Sequence, residues 1–214
     1  GSFKTRVPEL QLSQCIQAGV TTLVGLLGTD GITRSIENLV AKVKALNEEG
    51  ISAYCLTGSY EYPTVTLTGD LKKDIAFIQE VLGVKIAISD HRCSHISKEE
   101  LIRLVSDVRM AALISGKPGI VTFHLGRGKE KLNLIFEILA ETDLPIKHFR
   151  PTHVGTVLDQ AVQFAKMDGY IDFTAGTDPS ATAAKIGKAL QAEAPLERLT
   201  LSSDANGSFP KWNE

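Results

Sequence analysis

The sequence predicts an α/β fold whose parallel sheet closes into a (β/α)8 barrel, and three observations carry that expectation. Short apolar, β-branched runs alternate along all 214 residues with stretches of helical periodicity. The connections between them are short, which implies parallel pairing with right-handed crossovers. Polar residues also recur at nearly every strand end, from the second strand to the last. An open, doubly wound sheet meets the first two observations. It concentrates its ligand site at one switch point, however, and a nucleotide-binding version carries a glycine-rich loop that does not follow the first strand here.

In chain order, residues 8–19 place Leu10, Leu12, Cys15, Ile16 and Ala18 within helical reach and stop at Gly19. Residues 20–27 read as a strand broken by Gly28-Thr29-Asp30. Residues 32–49 carry Ile36, Leu39, Val40, Val43 and Leu46 at the spacing of an amphipathic helix, closed by Gly50. A strand over 52–57 ends in Gly58-Ser59-Tyr60. Helical spacing over 71–82 puts Ile75, Ile78, Val81 and Leu82 on one stripe, with Gly83 as the stop. A strand over 84–88 then ends in Ser89-Asp90-His91-Arg92. Ser97 and Glu100 have the spacing of a capping box, ahead of a helix with Leu101, Leu104, Val105 and Val108 on one face. A buried strand over 119–126 delivers His124. A helix over 129–140 leads to a strand within 146–153 that ends Pro151-Thr152-His153. Helices over 158–166 and 181–192 flank a strand over 171–175, and a last strand over 199–203 runs into Asp204-Ala205-Asn206-Gly207. Seven strands are one short of eight, and the helix after the last is missing too. Residues 1–214 are thus expected to be a partial barrel domain.

Composition bounds the chemistry. Hydrophobic content of 43% and charged content of 22% match a folded globular chain rather than a disordered one. A net charge of −2 argues against nucleic acid or an anionic membrane as the main partner. Cys15, Cys55 and Cys93 cannot all pair and lack C-x-x-C spacing, which fits a reducing, cytoplasmic setting. No apolar run approaches membrane-spanning length, and the first residues do not read as a secretory signal.

Alternation within strands says which side chains share a face. Val84, Ile86 and Ile88 face helices, which turns Lys85 into the barrel interior, where a lysine is costly unless neutralised, paired or functional. By the same rule Thr122 shares a face with His124, Pro151 with His153, and Thr200 and Ser202 with Asp204. Read singly, each has a bland explanation: a satisfied histidine, a structural ion pair, a turn aspartate beside Asn206-Gly207. Together, four core polar groups converging on one mouth each demand separate compensation, and His and Asp are standard zinc ligands.

These residues, within the segments VTTLVGLLGTD, ALNEEGISAYCLTGSYEYPT, GVKIAISDHR, GKPGIVTFHLG, PTHV and LTLSSDANGS, resemble the amidohydrolase superfamily. Within it the chain is most similar to the isoaspartyl (β-aspartyl) dipeptidases, over somewhat more than half of a family member. The resemblance implies a TIM barrel of the metallo-dependent hydrolase type and zinc-dependent hydrolysis of the isopeptide bond of β-aspartyl dipeptides by a metal-bridging hydroxide. It implies that Lys85 takes up CO2 as a carbamate bridging two zinc ions, that His124 and His153 hold one zinc with it, and that Asp204 binds the other and shuttles a proton. Tyr60 is then the oxyanion donor, and Thr29, Arg92 and Ser208 are substrate-binding positions. A full-length parent is expected to be a homo-oligomer.

Two departures qualify this. The family carries a His-x-His pair at the end of its first barrel strand, and no such pair occurs among His91, His95, His124, His148 and His153. The family also has an arginine for the substrate carboxylate in the loop after His153, where Thr156 stands here. The final helix and the small β-domain of family members are likewise expected to be absent. Alternatives are another binuclear amidohydrolase acting on N-acyl amino acids or cyclic amides, or a catalytically silent fragment whose open edges invite association. His91 and His95 precede the expected helix start and so lack a helical ligand spacing, Cys93 has no mark of a nucleophile, and Lys117, in SGKPG, reads as a solvated turn.

Overall fold

The structure, a computed structural model, describes residues 6–207. Its elements alternate as the sequence predicts: α1 (Leu12–Gln17), β1 (Thr22–Gly25), α2 (Ile36–Glu48), β2 (Ser52–Gly58), α3 (Leu71–Phe77), β3 (Val81–Ile88) and α4 (Lys98–Ser115). There follow β4 (Ile120–Leu125), α5 (Asn133–Glu141), β5 (Phe149–Thr152), α6 (Leu158–Lys166), β6 (Ile171–Thr174), α7 (Pro179–Gln191) and β7 (Leu199–Ser202). Strands β1 to β5 form one parallel sheet in chain order, and β6 pairs with β7 in a second. The second sheet lies beside β5. The whole is a curled wall, the α/β fold of a partial TIM barrel. No described helix is long and apolar enough to cross a membrane.

Local chemistry explains where helices start and stop. Ser35 and Asp178 accept backbone N–H bonds at the starts of α2 and α7, and Pro179 occupies the first position of α7. Ser97 and Glu100 complete the expected capping box on α4, which ends at Gly116 in the left-handed conformation. Helix α3 is shorter than its apolar stripe predicts. It stops at Phe77, and Val81 and Leu82 open β3 instead of closing the helix. Lys117 is the reason: its Nζ donates to the carbonyls of Ile75 at 2.6 Å, Ile78 at 2.5 Å and Val81 at 3.1 Å. A cation shared by a last-turn carbonyl, the C-cap carbonyl and the first carbonyl of β3 favours the end of the helix and ties it to the next strand. Lys117 is therefore a helix terminator rather than a solvated turn.

Register sets the two faces of the wall. Val84 pairs with Val121 and Val121 with Phe149, while Ile86 pairs with Phe123 and Phe123 with Pro151. These face the helices, and all but Pro151 share one apolar core with Leu101, Leu104, Val105, Ile135 and Ile138. On the opposite face Lys85 pairs with Thr122 and Thr122 with Arg150, and one step further Ala87 pairs with His124 and His124 with Thr152. At the two ends of the wall, among the described residues, β1 pairs only with β2 and β7 only with β6.

Candidate active site

Four side chains from β2 to β5 and their loops pack together at the C-terminal mouth. Strand β3 presents Lys85 on the inner face, only 5% exposed, with Nζ 5.0 Å from the centre of the Tyr60 ring. Tyr60 follows the end of β2 and stacks on His124 with ring centres 4.3 Å apart. His124 and His153 meet edge to face at 4.5 Å. Of the four groups expected to converge, Lys85, His124 and His153 lie in this cluster, and Tyr60 joins them.

His153 reaches the cluster by a different route from the one alternation predicts. Its neighbour Pro151 pairs with Phe123 on the helix-facing side, and strict alternation puts His153 there too. The strand ends at Thr152, and His153 adopts φ 61° and ψ 26°, a left-handed kink that turns its ring back to His124. Thr174 at the end of β6 sets the ring orientation, with Oγ1 2.5 Å from Nδ1. Asp204 also has a positive φ, of 49°, and it is exposed, which corrects the expectation of a fourth core group. It is near enough for its charge to raise the proton affinity of Tyr60, Lys85 and His153.

Asp90, which the sequence places only in a strand-end segment, is the hub of the polar network. Its carboxylate accepts Arg92 Nε at 2.8 Å and Nη2 at 2.7 Å, the Arg92 backbone N–H at 2.8 Å, and His124 Nε2 at 3.1 Å. The bonds from Arg92 hold its carboxyl well below the usual range, with burial opposing and His124 adding. A carboxylate only accepts, so His124 Nε2 carries the proton and Nδ1 is left as acceptor. The Tyr60 hydroxyl, 2.7 Å from Nδ1, is then the donor. Burial pushes the Tyr60 phenol above its ordinary value, so it keeps that proton at neutral pH.

Electrostatics suit metal ligation. Burial lowers His124 to about 3, with His153 and Lys85 adding to the effect, and burial likewise lowers His153. Both rings are neutral at physiological pH and able to donate lone pairs. Burial lowers Lys85 to about 8, with Asp204 opposing. About 10% of such an amine is neutral at pH 7, against well under ~0.1% for an ordinary lysine. A neutral amine is what reacts with CO2.

His124 and His153, with Lys85 if it is carboxylated, are the residues that could hold a metal ion. His153 Nε2 has no hydrogen-bond partner among the described residues. At His124 a metal has to displace Tyr60 from Nδ1 or Asp90 from Nε2. Among the described residues no three His, Cys, Asp or Glu side chains gather closely enough to hold a metal by themselves.

The remaining expected site residues are less engaged. Arg92 lies over the Tyr60 ring at 5.2 Å with one edge of its guanidinium taken by Asp90. Thr29 is half-buried in the loop after β1 and makes no hydrogen bond to the cluster among the described residues. Ser208 lies outside the described residues. His91 and His95 are exposed. Sequence reasoning missed Asp90, Thr174 and Asp172. Asp172 is 6% exposed on β6 and accepts Thr200 Oγ1 at 2.8 Å and Ser202 Oγ at 2.6 Å. An acidic residue between Ile171 and Phe173 is the same alternation signal that singled out Lys85.

No family model matches the chain. It is similar to the β-aspartyl dipeptidase of the thermophilic, keratin-degrading Fervidobacterium islandicum AW-1, with 48% identity and a TM-score of 0.92 over 97% of this chain and 58% of that one. The same dipeptidase solved in complex with a β-Asp-Leu dipeptide matches at 48% identity and a TM-score of 0.93, covering 100% of this chain and 58% of the other. A TatD-like protein from Archaeoglobus fulgidus, 16% identical with a TM-score of 0.55 over 92% of this chain and 79% of that one, shares the fold alone. The chain is similar to this β-aspartyl dipeptidase and spans 58% of its length.

Proposed function

We propose that this chain carries the larger part of the catalytic barrel of a zinc-dependent isoaspartyl dipeptidase, and that its parent protein hydrolyses the isopeptide bond of β-aspartyl dipeptides. The observation that carries this reading is the packing of Tyr60, Lys85, His124 and His153 into one cluster at the C-terminal mouth, where barrels of this kind place their reacting groups. Similarity to a dipeptidase solved with β-Asp-Leu supports the substrate class. In this reading Lys85 as carbamate, His124 and His153 hold one zinc, and Asp204 contributes to a second. When bound, zinc supplies Lewis acidity and acidifies water.

The chain's own residues then divide the work. The Tyr60 phenol, protonated at neutral pH, donates a hydrogen bond to the carbonyl oxygen of the scissile amide as charge develops there. The Arg92 N–H groups left free by Asp90 hold a substrate carboxylate. Asp204, exposed at the mouth, accepts a proton and returns it to the leaving amine. Thr29 and Ser208 complete the substrate positions. The parent protein acts in the cytoplasm as a homo-oligomer.

Zinc analysis and β-aspartyl-leucine hydrolysis test this, on the chain itself and on a version extended at both ends to the relatives' length. The extended protein is expected to bind two zinc ions and to prefer isoaspartyl dipeptides to N-acyl amino acids. Its Tyr60→Phe variant is expected to lose kcat by about 10²–10³-fold, the scale for an oxyanion donor. Absence of metal, or a preference for N-acyl amino acids, overturns the reading. A second reading, a catalytically silent fragment, is favoured by the exposure of Asp204 and the unpaired outer strands. Substantial turnover by the 214-residue chain eliminates it.

A further inference from the structure

Asp74 is fully buried in α3, on the outer side of the wall, and no Lys, Arg or His bonds its carboxylate among the described residues. Neutral donors satisfy it instead. Thr57 Oγ1 donates at 2.7 Å and the Leu67 N–H at 2.8 Å to Oδ2, while the Thr68 N–H at 2.9 Å and Thr68 Oγ1 at 2.7 Å donate to Oδ1. A buried carboxylate is expensive unless its lone pairs are filled, so these four donors are held where it needs them. They come from the two ends of one loop. Thr57 is at the end of β2, Leu67 and Thr68 lie on the return limb, and Tyr60 projects between them. The loop's other ties are few: Gly58 N–H to the Val65 carbonyl at 2.9 Å, the Tyr62 N–H to Ser94 Oγ at 2.9 Å, and the Ala87 N–H to the Tyr60 carbonyl at 3.4 Å. Gly58, at φ +82°, is the pivot between the limb that Asp74 holds and the limb that carries Tyr60 inward, and a Cβ there meets the Lys85 carbonyl.

We propose that Asp74 is the positioning residue for Tyr60: by clamping both limbs of the 57–68 loop from outside the barrel, it fixes the phenol on His124 inside. It touches neither the cluster nor anything bound there. The proposal rests on the reading of Tyr60 as a functional donor, but the geometry it asserts can be measured without any reaction.

The experiment is nitrogen-15 NMR of the His124 imidazole in the 214-residue chain, without metal. In the parent chain the two ring nitrogens are expected at well-separated shifts, those of one tautomer with Nε2 protonated. Asp74→Asn turns an acceptor-only group into one that points N–H donors at donors. It is expected to move the Nδ1 shift downfield as Tyr60 leaves Nδ1, while Asp90 keeps the proton on Nε2, and to raise hydrogen exchange at Leu67 and Thr68 about tenfold, the scale of one lost hydrogen bond. Tyr60→Phe is expected to give the same His124 change, and Asp74→Asn to add nothing to it. Should Asp74→Asn fail to fold, Thr57→Val and Thr68→Val each remove a single donor and are expected to give a smaller change in the same direction. If the folded variants lose stability while the His124 shifts stay as in the parent, Asp74 is only structural and the proposal falls. Failure of β-aspartyl-leucine hydrolysis in the extended protein overturns the proposed function and leaves this measurement to decide Asp74 on its own.

Discussion

Asp90 joins two residues with different tasks, a guanidinium that points to the mouth and an imidazole that belongs to the cluster. Its depressed proton affinity makes the linkage testable. A carboxyl whose folded pKa lies below its unfolded value of about 4 contributes its stabilisation fully above that value, and loses it as the pH falls toward the folded pKa. Asp90→Asn should therefore cost about 1–3 kcal/mol at pH 7, the scale of hydrogen bonds to a charged group. The difference from the parent should shrink at pH 3. Urea unfolding at the two pH values checks this, and an equal loss at both contradicts it. At this scale the sequence was only partly legible. Alternation alone turned Lys85 and His124 inward, because side chains on a strand have period two. It could not foresee the left-handed kink at His153, since that depends on how the chain leaves β5 and on Thr174 of another strand.

Helices and strands were easier to place than their ends. The capping box of α4 is written in four consecutive residues, so its start was readable. The end of α3 was not, because Lys117 acts from a loop about forty residues further on. Lys117→Met keeps the aliphatic stem but removes three hydrogen bonds from a cation to carbonyls. It should destabilise the chain by about 1–3 kcal/mol in urea unfolding. It should also raise amide exchange at Ile78 and Val81, whose backbone bonds lie at this junction, while leaving that of β5 unchanged. Wild-type exchange at Ile78 and Val81 in the variant shows that helix α3 ends for another reason.

Among the described residues the molecule is a wall with two free edges. Val24 on β1 is 49% exposed beside its cross-strand neighbour Tyr54, and Leu201 on β7 is 59% exposed. Unpaired backbone next to exposed apolar side chains is a template for another chain. Sedimentation of the 214-residue chain should therefore show association, and Val24→Lys combined with Leu201→Lys should shift it toward monomer. Unchanged association in the double variant places the contact elsewhere. By itself the sequence determined the alternating α/β order, the seven strands, the inward lysine and the histidine of β4, since these follow from periodicities that each segment carries alone. Only the tertiary structure decided that Asp90 joins Arg92 to His124, that Asp204 is exposed, and that Lys117 and Asp74 act at a distance. Those outcomes depend on which donors and acceptors folding brings together to satisfy buried polar groups, and the contacts involved link residues far apart in the chain.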